Sequence, residues 1–441
     1  MKKVITAVTV TLAAIMWIQC KSPEKGTAID PEDVLHANQQ QLTEIIIYDI
    51  FSPPVASRIY AYTSLAAYEA IRHDLPGYAS LAEKLNGFGT MPQPETGKVY
   101  DYTLAATRSF CKVAFNIRIF SDTVLHRYED SLLAVFKANL DQEVYDRSYA
   151  FGTSVADAIL KRAATDRYKE TRGMDKYLGS DANGRWQPTA PDYLDGAEPN
   201  WRLIRPFALD TPSQFRPLPP LPFSKDSSSP FYRMVKEVYT VNLNLTEEQK
   251  TIARYWDDNP AVMQHTGHLM FANKKITPGG HWMGITAIAC KQANADHVKT
   301  AQAYALTAIG LLDAFISCWD AKYAYEYVRP ITLINAWFDH DWNPVLQTPP
   351  FPEYTSGHST ITASSAEVLT ALFGDGFAFH DNSDSAYIGM TRDFRSFRQA
   401  AEEASISRLY GGIHFRPALD TGNARGAMVG KHLLQKVGLL K

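Results

Sequence analysis

Lys322 and Arg329 stand seven residues apart in WDAKYAYEYVRP, Ser356, Gly357 and His358 are consecutive in FPEYTSGHST, and Arg408 and His414 stand six apart in SISRLYGGIHFRP. Three cations, two imidazoles, a hydroxyl and a bare glycine backbone are groups that can hold and work on an oxyanion. Guanidinium groups donate paired hydrogen bonds to tetrahedral oxygens. The residues after Gly357 read as a helix, whose free amides and positive dipole end add to the attraction for an anion. A neutral imidazole is a good ligand or nucleophile, and one titrating near neutrality is a good acid or base. Each part alone also has a plainer explanation. Ser356 is an ordinary N-cap and Gly357 an ordinary turn residue. Lys322 and Arg329, two turns apart on one helical face ended by Pro330, can be a solvated stripe, and a lone His414 in an apolar segment is commonly a core residue. The neighbours of the two cations, Phe315, Trp319, Tyr323, Tyr325 and Tyr327, argue against a solvated face. Burying two cations needs an anion.

Taken in order, K-x6-R-P, S-G-H and S-R-x5-H resemble the three-part signature of the superfamily that joins vanadium-dependent haloperoxidases, type 2 phosphatidic acid phosphatases and bacterial acid phosphatases. The match spans Lys322 to His414, about the last third of the chain. The resemblance implies that Lys322, Arg329 and Arg408, with Ser356 and the Gly357 amide, bind the oxygens of vanadate or phosphate. It implies that His414 is the axial residue, a vanadium ligand in the peroxidases and the nucleophile in the phosphatases. It implies that His358 moves the proton on the opposite side. One departure stands out: the family commonly has an acid four residues after the last His to orient its other nitrogen, and here that position is Ala418. Asp420 or a backbone carbonyl is expected to take over. Asp258, in YWDDNP, is a weaker candidate for supporting the arginines, and Asp257 fits nearly as well.

The signature does not choose between the activities. Trp319, three before Lys322, and Phe351, seven before His358, resemble the aromatic pair lining the halide side of fungal-type chloroperoxidases. Apolar walls favour desolvated halide and peroxide chemistry. The expectation is therefore an exported enzyme oxidising halide with hydrogen peroxide on bound vanadate. The alternatives are a phosphomonoesterase working through a phosphohistidine with no cofactor, and a non-catalytic phosphate-binding envelope lipoprotein.

The elements that must position these residues read as helices. From residue 30 to 166 apolar residues recur at helical spacing, as in Leu42, Ile45, Ile46 and then Ile59, Tyr60, Leu65, Tyr68. The pattern lapses over 167–230 into a long irregular segment whose densest part is RPLPPLPF; its aromatics, among them Trp186, Trp201 and Phe207, suit a cover over a site better than a linker. Helical spacing returns over 231–441, and no convincing strand run appears. The expected fold is all-α, paired helical bundles with long irregular loops. Residues 1–20, MKKVITAVTVTLAAIMWIQC, have the layout of an export signal, with Cys20 placed as the lipidated residue of a periplasmic or outer-membrane lipoprotein. After residue 20 no apolar run is expected to span a bilayer cleanly. Cys111, Cys290 and Cys318 match no zinc spacing and read as buried apolar residues. With 45% hydrophobic and 21% charged residues and a net charge of −3, the chain carries no field for nucleic acid; its substrates are expected to be small molecules, and its membrane contact a lipid anchor.

Overall fold

In the computed structural model the described residues are 29–117, 119–260 and 275–440, together with the backbone of two strands between them. The export signal and Cys20 lie outside them. Helices dominate, as expected. The first half contains α1 (Pro31–Tyr48), α2 (Pro53–Ile71), α3 (Tyr102–Asn116), α4 (Asp122–Asn139), α5 (Gln142–Ala163) and the short α6 (Tyr168–Thr171). The second contains α7 (Pro230–Leu243), α8 (Glu247–Tyr255), α9 (Pro278–Gln292), α10 (His297–Tyr325), α11 (Pro330–Trp337), α12 (Gly357–Phe373), α13 (Ser385–Ile388), α14 (Phe397–Tyr410) and α15 (Arg416–Lys436). Two small antiparallel hairpins, which the sequence did not reveal, complete it: β1 (Met263–Thr266) with β2 (Leu269–Ala272), and β3 (Phe379–Asp381) with β4 (Arg392–Phe394).

Side-chain caps start several of these helices. Asp30 accepts from Glu32 N at 3.0 Å and Asp33 N at 3.3 Å, and Asp296 accepts from Lys299 N at 2.8 Å. One apolar core runs through both halves, because α10 packs against α2 on one side and α12 on the other. Among the described residues α10 is the one helix long and apolar enough to cross a bilayer, which corrects the expectation that none would be. Its apolar window is wholly buried, so it is a core helix.

The long irregular segment is tied down by α10 and the chain following it. The buried Asp313 carboxylate accepts from the amides of Phe207, Ala208 and Leu209 at 2.8, 2.6 and 3.0 Å. Arg216 grips Asp320 with two bonds of 2.6 and 2.7 Å. The hydroxyls of Tyr325, Tyr354 and Tyr327 donate to the carbonyls of Pro217, Leu218 and Leu221. A run rich in proline lacks amides to pair with itself, so its carbonyls need outside donors.

Two helices set the geometry that matters most. The α12 start carries Ser356, Gly357 and His358, and α15 follows directly on His414. Gly422, Gly426 and Gly430 form a strip on α15 that lies against α12. A Cβ at Gly426 would fall 2.0 Å from the Thr360 carbonyl oxygen, and one at Gly430 2.6 Å from that of Ser364. The bare strip lets the two backbones touch. Gly426→Ala is accordingly expected to lower stability in urea unfolding by about 1–3 kcal/mol, the usual cost of overpacking. An unchanged midpoint would show that the helices can separate freely.

Candidate functional site

The chain does not keep Lys322 and Arg329 on one helical face. The α10 helix stops at Tyr325, Glu326 takes a left-handed conformation with φ 48°, and Arg329 is the extended N-cap of α11, with Pro330 as its first residue. The stretch between is held straight by loops on both sides: Glu326 O accepts from Trp186 N, Val328 N donates to Gly184 O, and Tyr327 O accepts from Glu353 N. Those backbone partners, distant in sequence, outweigh the local helical pattern. The two cations still meet, but across a bend.

Lys322 is fully buried, and its ammonium donates to the carbonyls of Pro352, Glu353 and Thr355 at 2.8, 3.0 and 2.6 Å. All three of its protons are thereby engaged. It folds the Pro-rich loop around a positive charge. Burial, and secondarily Arg329, pulls its pKa down to about 7, so an arriving anion would favour its charged form. Arg329, also fully buried, donates through Nε to Phe351 O at 2.9 Å and through Nη1 to Ile413 O at 2.8 Å and His414 Nε2 at 3.1 Å. Burial lowers it to about 10, which leaves it charged at neutral pH.

Glu353 orients His414. Its Oε1 lies 2.7 Å from His414 Nδ1 and accepts from Phe415 N at 2.9 Å. Asp420, expected in that role, is exposed on the solvent side of α15, because the helix begins at Arg416 and turns that position outward. A carboxylate facing Nδ1 and a guanidinium facing Nε2 leave one consistent tautomer: the proton sits on Nδ1, and Nε2 offers its lone pair. Burial, then Arg329, Lys322 and Arg408, holds the ring well below the usual histidine pKa, hence neutral. Burial pushes Glu353 itself up to about 7 against the pull of Arg329. Glu353 sits inside the same stretch as Ser356 and His358, which was the available signal for it.

The junction that aims His414 is short. The α14 helix ends at Tyr410, and Gly412 turns the chain with φ +76°, where a Cβ would strike Asn242 and Pro344. One turn back, Arg408 donates to the Trp256 carbonyl, and its Nε is buried without a partner. Ser356 caps α12 through Ser359 N at 3.3 Å, so its hydroxyl already has the plain structural function. Gly357, as the first helical residue, has an amide with no acceptor in its own helix.

His358 is half-buried, with its Nε2 unpartnered and 3.8 Å from Asp258 Oδ2. Burial, then Arg408 and His281, holds it well below the ordinary histidine pKa. Asp258 is buried and makes its close contacts with His281, at 3.1 and 3.2 Å, rather than with the arginines, whereas Asp257 pairs with Lys275. Through their charge Asp257 and Asp258 both favour the cationic form of Arg408, which is the support expected of them.

His414, His358, Arg408 and Gly357 line one cavity of about 150 Å³, and its remaining walls are largely apolar, including Phe51, Pro53, Phe315, Trp319, Pro350 and Phe351. Trp319 and Phe351 touch at 5.0 Å between ring centroids, and Phe351 lies 5.0 Å from the Lys322 ammonium and 5.1 Å from the Arg329 guanidinium. Phe51 comes from the first half of the chain, and Ala197, also at the pocket, from the long irregular segment. Arg329 Nη2, Arg408 Nε and His358 Nε2 are buried polar atoms with no partner, all in this constellation. Buried donors seldom stay empty-handed. A tetrahedral oxyanion would give the two guanidinium groups their acceptors, so the residues present fit vanadate or phosphate. Cys111, Cys290 and Cys318 are buried and unpaired.

The family model of the VCPO second helical-bundle domain matches residues 302–440. A bacterial vanadium-dependent iodoperoxidase of known structure is 45% identical, with a TM-score of 0.88, over 94% of this chain and 98% of that one. A bacterial vanadium-dependent chloroperoxidase in its holo form shares the fold at a TM-score of 0.66 and 16% identity, over 95% of this chain and 94% of that one. Its apo-type counterpart gives a TM-score of 0.63 at 15% identity, over 95% of this chain and 96% of that one. No curated protein matches in sequence.

Proposed function

The chain belongs to the vanadium-dependent haloperoxidases, which are oxidoreductases, and from that premise we propose that it oxidises halide with hydrogen peroxide on bound vanadate, with iodide the preferred halide. The observation that carries the reading is the neutral His414 ring, aimed by Glu353 and Arg329, at a cavity beside which the guanidinium atoms Arg329 Nη2 and Arg408 Nε are buried without acceptors.

Vanadate, when bound, supplies a Lewis-acidic centre that polarises peroxide toward attack by halide. His414 Nε2 offers the lone pair that would anchor it. Arg329 and Arg408 offer the free donors for its oxygens, and Lys322 adds charge from behind the loop. His358, neutral and facing the same cavity, takes the proton that hydrogen peroxide loses on binding and returns it to the departing oxygen. In sum, peroxide, halide and one proton give hypohalous acid and water. Trp319, Phe351 and Phe315 offer no hydrogen bonds to an anion, so a halide must enter partly dehydrated. Iodide, less strongly hydrated than bromide or chloride, loses least. The 45% identity to an iodoperoxidase agrees with that preference.

The test is to assay vanadate-stripped protein, with and without added orthovanadate, for oxidation of iodide, bromide and chloride and for hydrolysis of a chromogenic phosphomonoester. Saturable activation by vanadate, strongest with iodide and suppressed by phosphate, is the expected result. Phosphoester hydrolysis by the stripped protein with no halide oxidation would replace this reading with the phosphatase one. Neither activity would leave an oxyanion binder.

A further inference from the structure

Behind the pocket wall lies a histidine that the chemistry above does not use. His281, on the first turn of α9, is fully buried, and each ring nitrogen faces a carboxylate. Its Nδ1 lies 3.1 and 3.2 Å from the two oxygens of Asp258, and its Nε2 lies 3.0 Å from Asp381 Oδ2. Ionised carboxylates only accept, so the ring bridges them by donating from both nitrogens, as an imidazolium. Burial works against that charge, but Asp258 and Asp381 outweigh it and hold the proton well above the usual histidine range. Trp256 stacks on the ring at 4.6 Å, and Tyr255 meets it edge-on at 5.5 Å. Asp381 is fixed in turn, its Oδ1 accepting from Ser383 N at 3.1 Å and Ser383 Oγ at 2.7 Å. The chain of contacts therefore runs from the β3 strand through His281 to Asp258, whose Oδ2 lies 3.2 Å from His281 Nδ1 and 3.8 Å from His358 Nε2.

We propose that His281 is a positioning residue: by bridging Asp258 and Asp381 it fixes the Asp258 carboxylate behind His358 and occupies its negative charge, so that His358 meets peroxide as a base. The proposal rests on the function proposed above. Without the bridge, Asp258 would turn its full charge on its nearest partner in the pocket and trap a proton on His358. The charged and titratable groups around the bridge are few. Asp384 adds a third carboxylate from the loop after β3, its ligand oxygen within 4.8 Å of those of Asp258 and His281. Lys275 acts on Asp384 and pairs with Asp257, Tyr255 flanks the ring from α8, and Arg408 and His358 lie beyond Asp258. Burial, then the Asp258 charge, pushes the Asp384 carboxyl up to about 7, so Asp258 and Asp381 are the carboxylates whose charge the imidazolium balances.

His281→Gln and Asp381→Asn test this. Nitrogen-15 NMR of vanadate-free wild-type protein is expected to show the His281 ring protonated on both nitrogens at pH 7. In vanadate-loaded enzyme, His281→Gln is expected to lower kcat/KM for peroxide about 10–100-fold, the usual reach of a residue acting through another. The lower limb of the pH profile is expected to move up by about one unit, as the uncompensated Asp258 raises the proton affinity of its neighbour. The KM for halide should change little, and Asp381→Asn should shift the same limb by less. A neutral His281 ring at pH 7 would overturn the proposal. So would rate losses that follow only the folded fraction with no shift in the limb, or an equimolar divalent metal held by Asp258, His281 and Asp384. Should His281→Gln fail to fold, the NMR result and Asp381→Asn still decide. A wild-type enzyme with no halide oxidation would sink the functional reading alone, since the His281 ring state is read without turnover.

Discussion

His414→Ala is expected to abolish halide oxidation while leaving the protein folded. The ring presents its Nε2 lone pair to the cavity, because Glu353 faces Nδ1 at 2.7 Å and Arg329 Nη1 faces Nε2 at 3.1 Å. Losing one hydrogen bond to a developing charge costs about 10²–10³ in rate, and losing a direct bond to the reacting centre should exceed that. The α14–α15 turn is held independently of the ring, by the Arg329 bond to Ile413 O and by Gly411 N donating to Ser407 O. Turnover at saturating vanadate, with circular dichroism as the control for folding, checks the claim. Ordinary kinetics in His414→Ala would make the residue a structural histidine.

Removing Glu353 should have the second-largest effect, and it should appear in two separate measurements. Glu353→Ala takes away the acceptor that aims His414, so vanadate affinity is expected to fall about 10–100-fold. It also takes the nearest carboxylate from two fully buried cations, Arg329 and Lys322. Leaving the buried His414 Nδ1 and Phe415 N donors without their shared acceptor costs about 1–3 kcal/mol each in stability. Glu353→Gln retains an oxygen that can accept from Phe415 N, and should recover part of the affinity but less of the stability. Vanadate titration and urea unfolding of both variants give the answer. Unchanged values in Glu353→Ala would show that His414 is aimed by Arg329 alone.

The contrast between Glu353 and Asp420 shows what could be read from the chain before its fold was known. The helical character was legible because burying one stripe of a helix leaves a periodic trace in the sequence, and the cations and histidines were legible because their order is a signature. The acid that serves His414 was not. It precedes its partner by 61 residues, and only the folding of the Pro-rich loop around Lys322 brings them together. Asp420 is near in sequence and far in space. The break at Glu326 was hidden for a related reason: the residues that stop α10 are Gly184 and Trp186, whose backbone pairs with the strip after Tyr325. His281 left no signal at all, since one imidazole in PGGHW looks the same whether it faces leucines or carboxylates.

Some walls of the cavity come from parts of the chain distant from its reactive groups. The reactive groups at the cavity, Gly357, His358, Arg408 and His414, belong to residues 357–414, whereas Phe51 and Pro53 arrive with the start of α2, Ala197 with the long irregular segment, and Asp258 and Pro260 with the chain after α8. Part of the wall, Phe315, Trp319, Pro350 and Phe351, is encoded among the reactive residues, but the part from Phe51, Pro53 and Ala197 is encoded apart from them, and drift there need not disturb the chemistry. An ancestral gene could exchange its entrance residues by substitution in the early helices and acquire new clientele while its reactive apparatus stayed intact. For an engineer the same partition names the positions to randomise, Ile50 to Pro53 and Ala197, and the ones to leave alone.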